Sequence, residues 1–380
     1  MKRILTGILA AAMLLTCAAC GSRPSHQEET TAAPTEATAQ AAPNALIQAL
    51  LDKAVRQTEF GGVVYITQNG QVLAQSATGT ADMETGKAIT MDTQFCIASV
   101  SKQFTAAAVL LLQEQGKLHT TDTLGAYFDN AAYGDTLTIR HLLTMRSGVP
   151  DHLAADTENG RVAYTPDEWG FTVDQDKSMA ENRAAVRNWI LAQPLHFEPG
   201  TQYEYSNANY FLLAQIVEQT AGMPYEDFVR QQIFEPLGMT HTGFVHELWD
   251  SPDAAKPNPP EDPLYTLGMA GGITQGAGDM VSTAADIDRW LTSLREETLL
   301  SKASYAEMKQ DYSPGNGYGY GLMVNFSGGV GHTGLIASYT SFAYTNAEKG
   351  YNLFAVTNDC HAVMGDISDI ADRVITGLLS

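Results

Sequence analysis

Ser99-Val100-Ser101-Lys102 places a hydroxyl and an amine three positions apart at the predicted start of a helix. Residues three positions apart lie on the same face of a helix, so the Lys102 amine can lie beside the Ser99 hydroxyl. Burial disfavours the charged form of a lysine, and a neutral amine can take the serine proton and create a nucleophile. The pattern S-x-x-K is a signature of serine acylation, although the spacing alone also recurs by chance.

A second group of polar residues, Tyr205-Ser206-Asn207, follows a Pro-Gly turn and precedes a predicted helix at Tyr210. A tyrosine held near a lysine can act first as general base and then as general acid. Asn207 can donate an amide hydrogen to a substrate carbonyl and contact Lys102. Taken alone, Tyr205 is equally well explained as an ordinary surface aromatic residue.

The third group is His332-Thr333-Gly334, in which a glycine allows a ligand to approach a strand closely. The backbone N–H of Leu335 can pair with that of Ser99 to form an oxyanion hole. His332 and Thr333 can bind a substrate carboxylate or orient the tyrosine. A strand-capping histidine is an equally good interpretation of His332 alone.

The elements that must position these groups follow from the hydrophobic pattern, which has a helical period in some segments and alternates in others. A helix and two strands open the domain, the long middle region is mostly helix and loop, and strands return before a final helix. The pattern predicts an α+β fold whose antiparallel sheet is divided between the two ends of the chain, with helices on its faces. The predicted opening and closing elements are a helix at 44–57, strands at 61–67, 71–77, 318–325, 331–334, 338–345 and 351–357, and a helix at 367–379.

The first 43 residues are predicted to lie outside the fold. Residues 1–20 have the basic start and short apolar core of a secretory signal, and they end in a segment that resembles a lipoprotein cleavage box with Cys20 as the lipidated residue. Cys17 stands where that box usually has leucine, which leaves simple secretion as the alternative. Residues 21–43 are rich in Ser, Thr, Ala and Pro and are predicted to form a disordered linker. We therefore expect an extracytoplasmic domain, 44–380, held at the membrane by lipid alone.

Composition narrows the function further. The chain has 22 basic and 43 acidic residues, a net charge of −21, which disfavours binding to nucleic acid or to anionic lipid headgroups. Cys96 and Cys360 lie within the predicted domain without the spacing of metal ligands, and they can form a disulfide or remain two buried thiols. We expect no metal and no cofactor.

The order S-x-x-K, Y-x-N, H-x-G resembles the serine beta-lactamase and penicillin-binding superfamily. It is most similar to the class C-like branch of beta-lactamases, D-alanyl-D-alanine carboxypeptidases, D-aminopeptidases and related esterases. The resemblance covers about residues 46–379 and implies a five-stranded antiparallel sheet flanked by helices plus a mainly helical lobe, inserted at about 117–295, with the site between them. It implies roles for the motif residues as acylated nucleophile, amine partner, proton shuttle and substrate-contacting amide, which fall to Ser99, Lys102, Tyr205 and Asn207.

His332 departs from the beta-lactamases of this branch, which have lysine at the corresponding position. Because histidine titrates near neutral pH, it would hold a carboxylate less firmly than lysine does. The substitution favours the peptidase or esterase branch over beta-lactam destruction.

The predicted function is that of a metal-free serine hydrolase that forms an acyl-enzyme on a cell-wall D-amino-acid peptide, a beta-lactam or a small ester. The alternative is a non-catalytic cell-surface protein that binds penicillin or senses peptidoglycan. A purely structural lipoprotein would leave the three motifs unexplained. The sequence does not identify the natural substrate or the oligomeric state, and we expect specificity to reside in the loops at 151–176 and 249–265.

Overall fold

The computed structural model describes residues 44–157, 160–248, 251–258, 268–269, 271–326 and 328–359. The predicted signal, linker and lipidated Cys20, the closing helix at 367–379 and Cys360 lie outside these residues, as does much of the loop at 249–265. The helices are α1 Ala45–Thr58, α2 Ser101–Glu114, α3 Ile139–Leu143, α4 Met179–Ala192, α5 Asn207–Ala221, α6 Tyr225–Val229, α7 Glu235–Leu237, α8 Val245–Leu248, α9 Ala284–Glu296 and α10 Lys302–Lys309. The strands are β1 Gly62–Gln68, β2 Gln71–Thr78, β3 Thr80–Asp82, β4 Lys87–Ala88, β5 Phe95–Cys96, β6 Ala154–Thr157, β7 Gly160–Ala163, β8 Gly243–Phe244, β9 Met280–Ser282, β10 Met323–Phe326, β11 Gly329–Ile336, β12 Tyr339–Asn346 and β13 Tyr351–Thr357.

The main sheet is antiparallel and joins the two ends of the chain. Its strand order is β10-β11-β12-β13-β1-β2, and β1 pairs with β13 in a register that sets Val63 opposite Val356. The predicted α+β fold is confirmed, but the sheet has six strands rather than the five implied by the resemblance. Strand β10 lies at the sheet edge and pairs with β11 only at Gly331 and Gly329.

Helices cover both faces of this sheet because alternate side chains of a strand point in opposite directions. Val64 and Ile66 lie in one apolar cluster with the buried face of α1, whereas Val63 lies in a second cluster with Trp290 of α9. Helix α1 begins where the Asn44 side chain accepts the first backbone N–H groups, a standard N-cap. Both faces of the sheet are thereby covered by packed apolar side chains.

The second lobe is mainly helical, and α2 lies at its centre. Most side chains of α2 and α5 are buried, as expected for helices in the core of a lobe. The lobe also contains a small sheet in the order β5-β9-β8 and a hairpin, β6 with β7, that the sequence pattern did not predict. Within the residues that the structure describes, no helix is long and apolar enough to cross a membrane.

Candidate active site

Ser99 lies on a short 3₁₀ turn, Ala98–Val100, that leads directly into α2. Ala98 has a φ of +49°, a left-handed conformation that is strained for a residue with a side chain. The preceding carbonyl, that of Ile97, accepts a hydrogen bond of 2.7 Å from the Ser341 hydroxyl in the main sheet. The strained turn is therefore anchored to the sheet, and it presents the half-buried Ser99 at the junction of the two lobes.

Lys102 is completely buried one helical turn beyond Ser99. Its Nζ donates hydrogen bonds to Ser99 Oγ at 3.0 Å, Asn207 Oδ1 at 2.8 Å and the Ala277 carbonyl at 2.6 Å. These acceptors come from three separate segments of the chain and fix the position of the amine. The Nζ is within proton-transfer distance of the Ser99 hydroxyl.

Tyr205 closes the site on the side of the helical lobe. Its side chain is largely buried, and the centre of its ring lies 5.0 Å from Lys102 Nζ, a cation–π distance. The ring also lies 6.1 Å from the His332 ring and 6.2 Å from the Tyr318 ring. The arrangement brings a phenol, an amine and an imidazole around one small volume.

Asn207 is the first residue of α5, and a buried carboxylate holds it in place. Its backbone N–H and its side-chain Nδ2 both donate to Asp151 Oδ2, at 2.7 and 2.9 Å. The other carboxylate oxygen of Asp151 accepts the Leu153 N–H at 2.7 Å. Sequence reasoning missed Asp151; the available signal was a single acidic residue placed between the turn at Gly148 and an apolar stretch.

His332 lies on β11 with its ring buried. Its Nε2 is 3.1 Å from the Tyr318 hydroxyl, and its Nδ1 bonds to the Thr333 carbonyl, so a neutral ring satisfies both partners. Burial and the nearby positive charge of Lys102 lower the pKa of His332 to about 3. Of the two roles left open by the sequence, these contacts favour orientation of the tyrosines and disfavour a cation that binds a substrate carboxylate.

The edge of β11 runs beside the nucleophile turn. Strand β10 pairs with β11 only as far as Gly331, which leaves the following residues next to the Ser99 turn. A Cβ on Gly334 would collide with the Ile97 carbonyl and lie 3.0 Å from Ala98 Cβ, so only glycine fits. Thr333 and Leu335 alternate with the buried residues of β11 and are half-exposed. The oxyanion hole formed by the N–H groups of Ser99 and Leu335 remains a prediction.

The structure thus brings five predicted side chains into one site, those of Ser99, Lys102, Tyr205, Asn207 and His332. Cys96 is a free thiol buried beside the nucleophile turn, and burial raises its pKa to about 12, so it does not act as a competing nucleophile. Among the described parts of the chain, no group of three or more His, Cys, Asp and Glu residues is arranged to hold a metal ion.

The chain is similar to several known proteins. The chain is 30% identical to the candidate penicillin-binding protein PbpX of Bacillus subtilis over 70% of its own length and 62% of that protein. It is 29% identical to a D-aminopeptidase of Brucella ovis over 84% of its length and 59% of that protein, so it spans about three fifths of both relatives. The crystal structure of a D-amino acid amidase from Ochrobactrum anthropi SV3, complexed with L-phenylalanine amide, superimposes with a TM-score of 0.70 at 27% identity, covering 88% of this chain and 98% of the amidase.

A family model described as Beta-lactamase matches residues 44–376, almost all of the predicted domain. The match includes each of the three motifs that surround Lys102. The chain belongs to the beta-lactamase family, within the serine-hydrolase superfamily that its motifs predict.

Proposed function

We propose that this protein hydrolyses amide bonds of D-amino-acid peptides or amides through an acyl-enzyme at Ser99. The observation that carries the proposal is the contact of 3.0 Å between Ser99 Oγ and a Lys102 amine that is held by Asn207 and by the Ala277 carbonyl. A serine hydroxyl becomes a competent nucleophile when a positioned base takes its proton. The relatives named as a D-aminopeptidase and a D-amino acid amidase support the substrate class.

In the acylation step, Ser99 Oγ attacks the substrate carbonyl carbon while its proton passes to Lys102 and Tyr205, which we assign jointly as the proton carrier. The carbonyl oxygen becomes an oxyanion facing the backbone N–H groups of Ser99 and Leu335. The C–N bond then breaks as the leaving amine takes the proton. A water molecule attacks the Ser99 ester by the reverse path, which releases the acid and restores the hydroxyl.

The charges around the site favour a substrate with a free amino group. A cavity of about 410 Å³ beside Tyr205 is lined by residues that include Asp156, Glu204 and His196. Partial burial and the charge of Glu204 raise the pKa of Asp156, as expected for two neighbouring carboxyl groups. Glu204 also pairs with His196 at 2.7 Å. With His332 neutral, this arrangement suits an ammonium group better than the carboxylate of a beta-lactam.

Intact mass after incubation with a fluorescent penicillin, a p-nitrophenyl ester and a D-alanyl p-nitroanilide tests the nucleophile. We expect an acyl adduct that Ser99→Ala abolishes and that Ser101→Ala retains, because Ser101 Oγ accepts the Met280 N–H inside the fold. Turnover of the anilide should exceed that of its N-acetylated form. No adduct with any probe, or an adduct that survives in Ser99→Ala, would contradict the proposal.

The acidic cavity has a separate test. Glu204→Gln and Asp156→Asn should raise KM for the D-alanyl anilide and change KM for the N-acetylated anilide much less. Asp167→Asn, on the surface turn Pro166–Glu168, is the matched control. Equal effects on both substrates would remove the amino-group assignment while leaving the nucleophile in place.

The predicted location outside the cytoplasm, with a lipid at Cys20 or simple secretion, is part of the same proposal. Its support is the basic and apolar start of the sequence and the cysteine at position 20. Metabolic labelling with a radioactive fatty acid should mark the full chain and fail to mark Cys20→Ala. Label in the variant would rule out lipidation at this residue.

A further inference from the structure

We infer that Asp151 is a positioning residue: its carboxylate sets the orientation of the Asn207 amide and thereby holds the Lys102 amine on Ser99. The inference rests on the proposed function for its kinetic consequence. The part of the inference that concerns geometry, namely that Asp151 fixes the side chain of Asn207, can be tested even if no substrate is found.

The carboxylate of Asp151 is clamped between two segments. One oxygen accepts the backbone N–H and the side-chain Nδ2 of Asn207, and the other accepts the Leu153 N–H of the same loop. Asp151 is 7% exposed, and the neighbouring His152 is completely buried. Two oxygens with three N–H donors leave this carboxylate little freedom to move.

The neighbouring side chain of His152 also faces Asp151. His152 Nδ1 lies 3.9 Å from Asp151 Oδ1, and its Nε2 lies 2.7 Å from the Ile273 carbonyl. Burial lowers the pKa of His152 to about 4, so the ring is neutral at physiological pH. His152 therefore adds no positive charge beside Asp151 at that pH.

The orientation of the Asn207 amide follows from the chemistry of its two neighbours. A carboxylate can only accept hydrogen bonds, so it draws the amide NH₂ towards itself. The amide oxygen is left facing Lys102 Nζ at 2.8 Å. In the reverse orientation, the Asn207 amide oxygen would face the Asp151 carboxylate oxygen. The amide NH₂ would then face the Lys102 amine, so that two donors would meet. Asp151 therefore excludes the flipped amide.

The amide oxygen matters because it is one of the acceptors that locate Nζ beside Ser99. Without Asp151 the amide can rotate, and Lys102 loses a fixed acceptor. Losing a hydrogen bond to a charged group corresponds to about a tenfold to hundredfold change in an equilibrium or rate. We expect a loss of that size in the rate of acylation, with little change in substrate affinity.

The first experiment measures acylation by a p-nitrophenyl ester, expressed per active site, for wild type, Asp151→Ala, Asp151→Asn and the exposed control Asp129→Ala. Asp151→Ala should slow acylation about tenfold or more with KM nearly unchanged and should shift the pH profile. Asp151→Asn keeps one oxygen for Asn207 and should retain an intermediate rate. A normal rate per active site and an unchanged pH profile in Asp151→Ala would overturn the inference.

A double-mutant cycle separates positioning from general loss of structure. In an Asn207→Ala background, Asp151→Ala should slow acylation little further, because the two residues act through one contact. Independent, additive losses would contradict positioning through Asn207.

A crystal structure of Asp151→Ala gives a readout that needs no substrate. We expect the Asn207 amide to turn and the contact between Lys102 Nζ and Ser99 Oγ to lengthen. Unchanged positions of Asn207 and Lys102 would overturn the inference. If wild-type protein acylates with no probe while this change is seen, the proposed function fails and the positioning role stands.

Discussion

At the scale of single residues, the site depends on buried polar groups that are satisfied by one another. Lys102 is fully buried, yet its amine reaches acceptors on Ser99, Asn207 and Ala277. Spacing in the sequence predicted the neighbourhood of Ser99 and Lys102 because a helix brings residues three apart together. It did not predict Asp151, since the partner of that carboxylate is 56 positions away and no local pattern reports such a contact.

Two buried histidines should make the protein acid-sensitive. The pKa of His332 is lowered to about 3 and that of His152 to about 4, whereas an unfolded histidine titrates near about 6.5. As the pH falls below about 6.5, the unfolded chain binds protons that the folded chain does not, so the free energy of unfolding falls by up to about 1.4 kcal/mol per pH unit per histidine. Above about pH 6.5 this contribution is fully present.

Urea denaturation between pH 7 and pH 4 measures this effect, and variants isolate it. His332→Gln should flatten the pH dependence relative to wild type, whereas the exposed His119→Gln should not. Burial raises the pKa of Asp279 to about 7, so this residue takes up a proton in the folded state and also contributes to the pH dependence. Its contribution is the same in every variant and cancels when the variants are compared. Parallel curves for wild type and His332→Gln would show that His332 is protonated in the folded protein.

At the scale of elements, the close approach of β11 to the nucleophile turn is the contact on which the site depends. Gly334→Ala should push β11 away from Ile97 and Ala98, lowering both the melting temperature and the acylation rate. Gly61→Ala is a matched control, because a Cβ there would meet only ordinary contacts of 3.8 and 4.0 Å. Melting curves and ester acylation provide the measurements, and a fully active Gly334→Ala would contradict the geometry.

A buried ion pair joins α4 to α6 in the helical lobe. Arg183 bonds to Glu226, both side chains are nearly buried, and Gln275 donates to the same carboxylate at 3.2 Å. Glu226→Gln should destabilise the fold by about 3–5 kcal/mol, because it leaves a buried guanidinium without its counter-charge.

Chemical denaturation would check this value. The surface ion pair of Lys177 with Asp174 offers the control, and Lys177→Ala should cost less than about 1 kcal/mol. Replacing both buried partners, as in Arg183→Met with Glu226→Leu, should recover much of the loss. A small effect of Glu226→Gln alone would mean that water reaches the pair.

The sequence predicted most elements, and it erred where tertiary contacts decide. Helix α5 was predicted from Tyr210 but begins at Asn207, because Asp151 accepts the first backbone N–H from a distant loop. Strand β10 was predicted at 318–325 and forms at Met323–Phe326, where the edge of β11 is available for pairing. The periodicity of a segment indicates which of its faces is apolar. It does not indicate where contacts with other segments will make the helix or strand begin and end.

At the scale of the whole molecule, the net charge of −21 should influence which substrates arrive. An acidic protein attracts cations and repels anions over distances that salt shortens. For a cationic D-alanyl anilide, kcat/KM should therefore fall as ionic strength rises. The neutral N-acetylated anilide should respond much less, and identical salt profiles would show that long-range charge plays no part.

The pairing of β1 with β13 has a consequence for how the chain is made. Val63 on β1 pairs with Val356 on β13, so β1 leaves the ribosome long before its partner strand has been synthesised. Ser99 is synthesised well before β11, the strand that must run beside it, because β11 begins only at Gly329. Such distant pairing slows folding. A nascent chain therefore carries its nucleophile without the strand that completes the site, and it can acquire activity only after β11 and its partner β12 have been synthesised.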